Sequence, residues 1–126
     1  SEAIEAKYGM LGTTFGGNHL ACAAAISVVD IIDKENLINN VNEVSQYFLN
    51  EIKKVPKVKK VKGKGLMLGI EFDFEVGELR KKLIFEKQIF TGGSNNKKLL
   101  RILPPLCIKK EQIDIFINAL IDLLDE

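Results

Sequence analysis

Thr13 and Thr14 lie in the run Gly-Thr-Thr-Phe-Gly-Gly-Asn, residues 12–18, directly before a long stretch of alanine and β-branched residues. Two hydroxyls beside backbone amides, two glycines that let the chain turn sharply, and a following helix with a positive N-terminal end are the parts of an anion nest suited to a phosphate. The same residues also make an ordinary helix start with Asn18 as N-cap. Spacing alone leaves both readings open.

Little else in the chain suits self-contained chemistry. His19 is the only histidine, and Cys22 and Cys107 lack the close spacing of a zinc or redox motif. There is no nucleophile-elbow, Walker-type or dinucleotide glycine pattern, so hydrolysis or phosphoryl transfer has few pieces to work with, and catalysis, if any, is borrowed. The two thiols are expected to be reduced, buried core residues, and Met67 likewise. Lys53, Lys54, Lys57, Lys59, Lys60, Lys62 and Lys64 form a basic stretch, but no aromatics are interleaved and the valines alternate as in an edge strand. Lysines there solvate an edge and block aggregation, so nucleic-acid binding is not expected. With 18 basic and 17 acidic side chains the formal net charge is +1, too small for a steering field. No apolar run reaches the roughly 18 residues of a membrane span, and the expectation is a soluble, cytoplasmic protein.

The elements that must position Thr13 and Thr14 follow from periodicity. Leu20, Ala23, Ala24, Ile26, Val28, Ile31 and Ile32 predict a helix over Leu20 to Asp33, apolar on more than one face and therefore little exposed. Leu37, Val41, Val44, Phe48 and Ile52 predict a cleaner amphipathic helix that Pro56 ends. Val58 and Val61 among lysines, then Leu66, Leu68, Ile70 and Phe72 alternating with Met67, Gly69 and Glu71, predict two strands, with Gly63 and Gly65 marking the bend. A third helix from about Val76 to Lys87 should turn Leu79, Leu83 and Ile84 inward and Arg80, Lys81 and Lys82 outward. A short strand at Ile89 to Thr91, a Gly-Gly-Ser-Asn-Asn turn, a strand Leu-Leu-Arg-Ile-Leu stopped by Pro104 and Pro105, and a last helix through Ile113, Phe116, Ile117, Leu120 and Leu124 complete the order. This predicts an α+β fold: a small, largely antiparallel sheet covered by helices on one face. The chain opens at Ser1 and reaches the polar turn almost at once, as a piece of something longer would.

The wording of these segments adds a resemblance. Thr-Thr-Phe-Gly-Gly-Asn-His-Leu, beginning at Thr13, resembles the Ser/Thr-Thr-Phe/Tyr-Gly-Gly-Asn-Pro-Leu segment of the acetylornithine aminotransferase family, the class-III pyridoxal-phosphate aminotransferases. Further on, Val-Lys-Gly-Lys-Gly-Leu-Met-Leu-Gly-Ile-Glu-Phe, residues 61–72, is similar to a second family stretch. Thr-Gly followed by Leu-Arg-Ile-Leu-Pro-Pro-Leu, residues 91–106, matches a third, and the closing helix sits where the family ends. Two positions depart from the family: His19 stands at a frequent proline and Leu11 at a frequent histidine, which affects the helix start and a loop contact.

The resemblance implies the C-terminal small domain of a fold-type-I pyridoxal 5'-phosphate transferase, with residues 1–18 as an interface turn from the end of a large domain and residues 19–126 as the small domain. It implies that Thr14 donates to the cofactor phosphate of a neighbouring subunit in a homodimer, with Thr13 beside it near phosphate and substrate. It implies that Arg101 binds the substrate α-carboxylate, which a planar guanidinium meets at both oxygens. The lysine that holds the cofactor, the acid at its ring nitrogen and a glycine-rich phosphate loop would lie in the preceding large domain. The implied reaction moves an amino group from N-acetylornithine, or a close analogue, to 2-oxoglutarate in arginine biosynthesis, and this chain alone would be inactive. A different class of function, a stand-alone α+β interaction module descended from an aminotransferase, would dock through residues 11–32.

Overall fold

The computed structural model describes residues 7–9 and 12–125, and the chain divides into two compact units, Ser1–Glu35 and Asn36–Glu126. The first unit holds the polar turn and α1 (His19–Lys34). Asn18 caps that helix: its side chain accepts from the Ala21 amide at 3.0 Å and its own backbone is extended. At the other end the Lys34 ammonium pairs with Asp30 one turn back, at 3.3 Å, and suits the negative end of the dipole.

The second unit runs α2 (Leu37–Glu51), a 3₁₀ turn (Ile52–Lys54), β1 (Val58–Lys64), β2 (Met67–Phe72), α3 (Gly77–Phe85), β3 (Leu99–Ile102) and α4 (Lys110–Asp125). α2 gives way to the tighter turn before Pro56, because the residue preceding a proline is pushed to extended backbone, as Val55 is at φ −77° and ψ 124°. The sheet is antiparallel in the order β1-β2-β3, which makes the lysine-rich β1 an edge strand. β1 and β2 are joined through Gly65 and Leu66, and Gly65 takes the left-handed φ of +56° that a tight hairpin needs.

Alternation in β2 sends Leu68, Ile70 and Phe72 into a core shared with Leu100 and Ile102 of β3, Phe48 of α2, Leu83 of α3 and Leu120 of α4. Phe48 and Phe116 stack with ring centroids 6.0 Å apart and tie α2 to α4. The fold is therefore α+β with a small antiparallel sheet, as the periodicity predicts. The strand expected at Ile89 to Thr91 does not form. That segment leaves α3 as irregular chain and meets the sheet only at Gly92, which bridges Arg101. Gln88, with a left-handed φ of 57°, turns the chain there and breaks any longer ladder.

Four burial expectations fail. No residue of α1 is buried: Leu20 is 82% and Ile26 64% exposed, where periodicity assigned the helix to an interior. Cys22 and Cys107 are exposed free thiols, and Met67 faces outward because it alternates with Leu66 and Leu68. Arg80 is half-buried rather than outward, since it follows Leu79 on the flank of the face that α3 turns to the core. No helix among the described residues is long and apolar enough to cross a membrane.

Candidate functional site

The turn spans residues 14–17, beginning at Thr14 with Thr13 directly before it, and both threonines are exposed. Gly17 takes φ +73°, and a Cβ on Gly16 would lie 2.1 Å from the Thr13 methyl carbon, so the two glycines are what allow this loop to close on itself. Asn18 is committed to the cap, donating from Nδ2 to the Phe15 carbonyl at 2.6 Å and accepting the Ala21 amide. Among the described residues, the Thr13 and Thr14 hydroxyls and the His19 and Leu20 amides have no partner, so capping and anion binding are compatible here. Leu11 lies outside the described residues.

In the second unit Arg101 is exposed on the outer face of the sheet. Its cross-strand partner in β2 is Gly69, and on its other side it exchanges backbone hydrogen bonds with Gly92, at 2.8 and 3.0 Å. A Cβ on Gly92 would come within 2.6 Å of Arg101 Nε, so the side chain lies across the glycine. Among the described residues the guanidinium has no hydrogen bond and no ion pair. It borders a shallow depression with Lys62, Lys64, Met67, Gly69 and Leu99. An unneutralised, planar, two-oxygen donor on such a surface is suited to a carboxylate.

Four lysines of the basic stretch have partners within the chain. Lys54 pairs with Glu51 at 2.6 Å, Lys59 with Asp73 at 3.0 Å and Lys62 with Glu71 at 2.5 Å, while the Lys57 ammonium donates to the Leu124 carbonyl at the end of α4. The hydrogen bond from Lys62 holds the Glu71 carboxyl below its usual range, and that to Asp73 raises Lys59. These groups are open to water, and such pairs contribute little to stability.

Periodicity missed the residues that seat Arg101. Thr91, Gly92 and Gly93 read only as strand end and turn, yet Gly92 supplies the bridge and Gly93 lets Arg80 approach, with a built Cβ 3.1 Å from Nη1. Arg80 donates from Nη2 to the Thr91 carbonyl at 3.1 Å. The available signal was its position beside Leu79 and one turn from Leu83.

The family model for class-III aminotransferases matches residues 2–124. The acetylornithine aminotransferase of Methanocaldococcus jannaschii is 41% identical over 124 residues, 95% of this chain and 31% of that protein. Among solved structures, an ornithine δ-aminotransferase from Plasmodium falciparum superposes with TM-score 0.78 at 32% identity, covering 95% of this chain and 32% of its own. An acetylornithine aminotransferase from Elizabethkingia anophelis gives TM-score 0.72 at 29% identity, with 93% and 32% covered. The chain thus spans about a third of the length of the relatives it matches. Its ordered motifs and its sheet agree with that match: the chain belongs to the class-III aminotransferases, enzymes that depend on pyridoxal phosphate.

Proposed function

We propose that this chain is the C-terminal part of a cytoplasmic, homodimeric aminotransferase that moves an amino group from N-acetylornithine, or a close analogue, to 2-oxoglutarate in arginine biosynthesis. Residues 1–18 are the interface turn and residues 19–126 the small domain. Its 41% identity to an acetylornithine aminotransferase supports that choice of donor. The single observation that carries a substrate role is the Arg101 guanidinium, laid across Gly92 and free of any carboxylate among the described residues.

Pyridoxal phosphate, when bound, supplies the electron sink for amino-group transfer. The residues present fit its phosphate: two threonine hydroxyls and two unpartnered amides lie at or beside one turn, where a Cβ on Gly16 would strike the Thr13 methyl carbon and Gly17 takes a left-handed φ. Thr14, with Thr13 beside it, holds that phosphate in the partner subunit. Arg101 takes the substrate α-carboxylate in a bidentate pair, which fixes the carbon that exchanges its proton and costs no proton of its own, because guanidinium stays charged. Removal of that proton belongs to a lysine outside these residues, so residues 1–126 alone transfer no amino group.

The test is Arg101→Ala in the full-length holoenzyme. The expected loss is on the order of 2 kcal/mol in transition-state binding, about thirtyfold in kcat/KM, mostly through KM for both substrates. Unchanged kinetics would remove the carboxylate role.

A further inference from the structure

We infer that Arg80 is a positioning residue for substrate binding: it anchors the Thr91-Gly92-Gly93 segment that in turn seats Arg101. The inference rests on the reading of Arg101 as the carboxylate ligand and adds a residue which that reading does not contain.

The segment leaving α3 has no ladder to hold it. From Ile89 to Gly93 the Gly92 bridge alone joins it to the sheet, through two hydrogen bonds to Arg101; the Ile89 amide donates to the Leu83 carbonyl at 2.8 Å, and the chain rejoins β2 only at Lys98, whose carbonyl accepts from the Phe72 amide. Two glycines in succession leave its backbone freer than any other pair of residues would. A bridge that isolated opens easily unless something else fixes the segment.

Arg80 supplies the fixing. Its guanidinium donates to the Thr91 carbonyl at 3.1 Å and lies against Gly93, where a Cβ would be 3.1 Å from Nη1, so it grips the residues on both sides of Gly92. Its Nε is buried without a hydrogen-bond partner among the described residues, as is the Thr91 hydroxyl. No carboxylate pairs with it among those residues either. Setting a cation into the flank of a helix with a backbone carbonyl as its acceptor is a poor device for stability, and a methionine of similar length would bury more easily. The arrangement is well suited to stiffness, because a planar fork constrains the group it grips more than an ammonium does. The chain of contact is then Arg80 to Thr91, Thr91 to Gly92 along the backbone, and Gly92 to Arg101 by the bridge and by the side chain lying over it. Without Arg80, the surface under Arg101 moves and its guanidinium samples geometries that miss one carboxylate oxygen.

The experiment compares wild type, Arg80→Met, Arg80→Lys, Arg101→Ala and the Arg80→Met/Arg101→Ala double variant in the full-length holoenzyme. Two readouts are used: KM and kcat for the amino-acid donor and 2-oxoglutarate, and hydrogen exchange at the Gly92 and Arg101 amides. Arg80→Met is expected to raise KM about fivefold for both substrates with a smaller change in kcat. It should also speed exchange at the two bridge amides while the α4 amides stay protected. The double variant should be no worse than Arg101→Ala, because the two residues act as one unit. Arg80→Lys, which keeps the charge and loses the fork, should fall between wild type and Arg80→Met, and it carries the test if the methionine variant does not fold. Additive losses, an unchanged KM, or unchanged bridge exchange would each overturn the inference. Failure of the carboxylate reading has a different signature: Arg101→Ala itself leaves KM unchanged, while the exchange measurement still reports whether Arg80 holds the bridge.

Discussion

Arg101 stands between two glycines. Gly69 is its partner on β2 and Gly92 its partner across the isolated bridge, so no side chain rises from either neighbouring position at its register. The space at Gly69 is taken by Leu99, whose Cδ2 would be 2.9 Å from a Cβ there, and the space at Gly92 by Arg101 itself.

Gly92→Ala should separate binding from folding. The new Cβ meets Arg101 Nε at 2.6 Å and its Cβ at 3.3 Å, and the nearer contact is relieved by swinging a flexible side chain away. Stability should change by less than about 1 kcal/mol, while KM for carboxylate substrates rises severalfold in the full-length enzyme. A large loss of stability with normal KM would show that the bridge, not the arginine, is what Gly92 serves.

Gly63→Ala should act in the opposite way. Gly63 has φ +129°, and a Cβ there would lie 2.0 Å from the Met67 carbonyl oxygen, a backbone atom that cannot move aside. Urea unfolding should show a loss of about 2 kcal/mol or more. Gly77→Ala, where nothing lies within 4 Å and α3 begins, is the control and should be neutral or slightly stabilising. Equal effects of the two would refute the strain argument.

The Tyr47 hydroxyl of α2 donates to the Asp114 carboxylate of α4 at 2.5 Å, with the Lys110 ammonium 5.6 Å from the ring centroid. That hydrogen bond, then desolvation, then the negative charges of Asp114, Glu51 and Glu111 push the phenol up from 10.0 to about 12. A group whose folded pKa is raised contributes stability that is complete below the unfolded value and lost as pH rises through the folded one. Tyr47→Phe should therefore lower Tm at neutral pH, and the gap to wild type should close between about pH 10 and 12. A gap that stays constant across that window would assign the effect to packing.

Ile26 and Val29 of α1 are 64% and 58% exposed, so Ile26→Gln with Val29→Gln should leave the unfolding of the Asn36–Glu126 unit within about 0.5 kcal/mol of wild type. In the full-length protein the same pair should shift gel filtration toward monomer and lower retention of pyridoxal phosphate. Unaltered assembly would mean that this face stays in water.

The sequence by itself determined the elements and their order, because period 3.6 in α2 and α4 and period 2 in β2 are local properties that burial of one face enforces. It also determined the Asn18 cap and the hairpin at Gly65, which rest on side-chain acceptors and left-handed φ within a few residues. The resemblance singled out Thr13, Thr14 and Arg101 by type. Tertiary structure decided what periodicity could not reach. The segment after α3 carries strand-forming residues at Ile89 and Phe90 yet pairs only at Gly92, since pairing depends on a partner far along the chain. α1 is apolar around much of its surface, a pattern that records a need for burial without saying which surface meets it. Arg80 and Arg101 look alike in sequence. Only the fold sets one against a backbone carbonyl on the flank of a helix and lays the other across a glycine on the open face of the sheet.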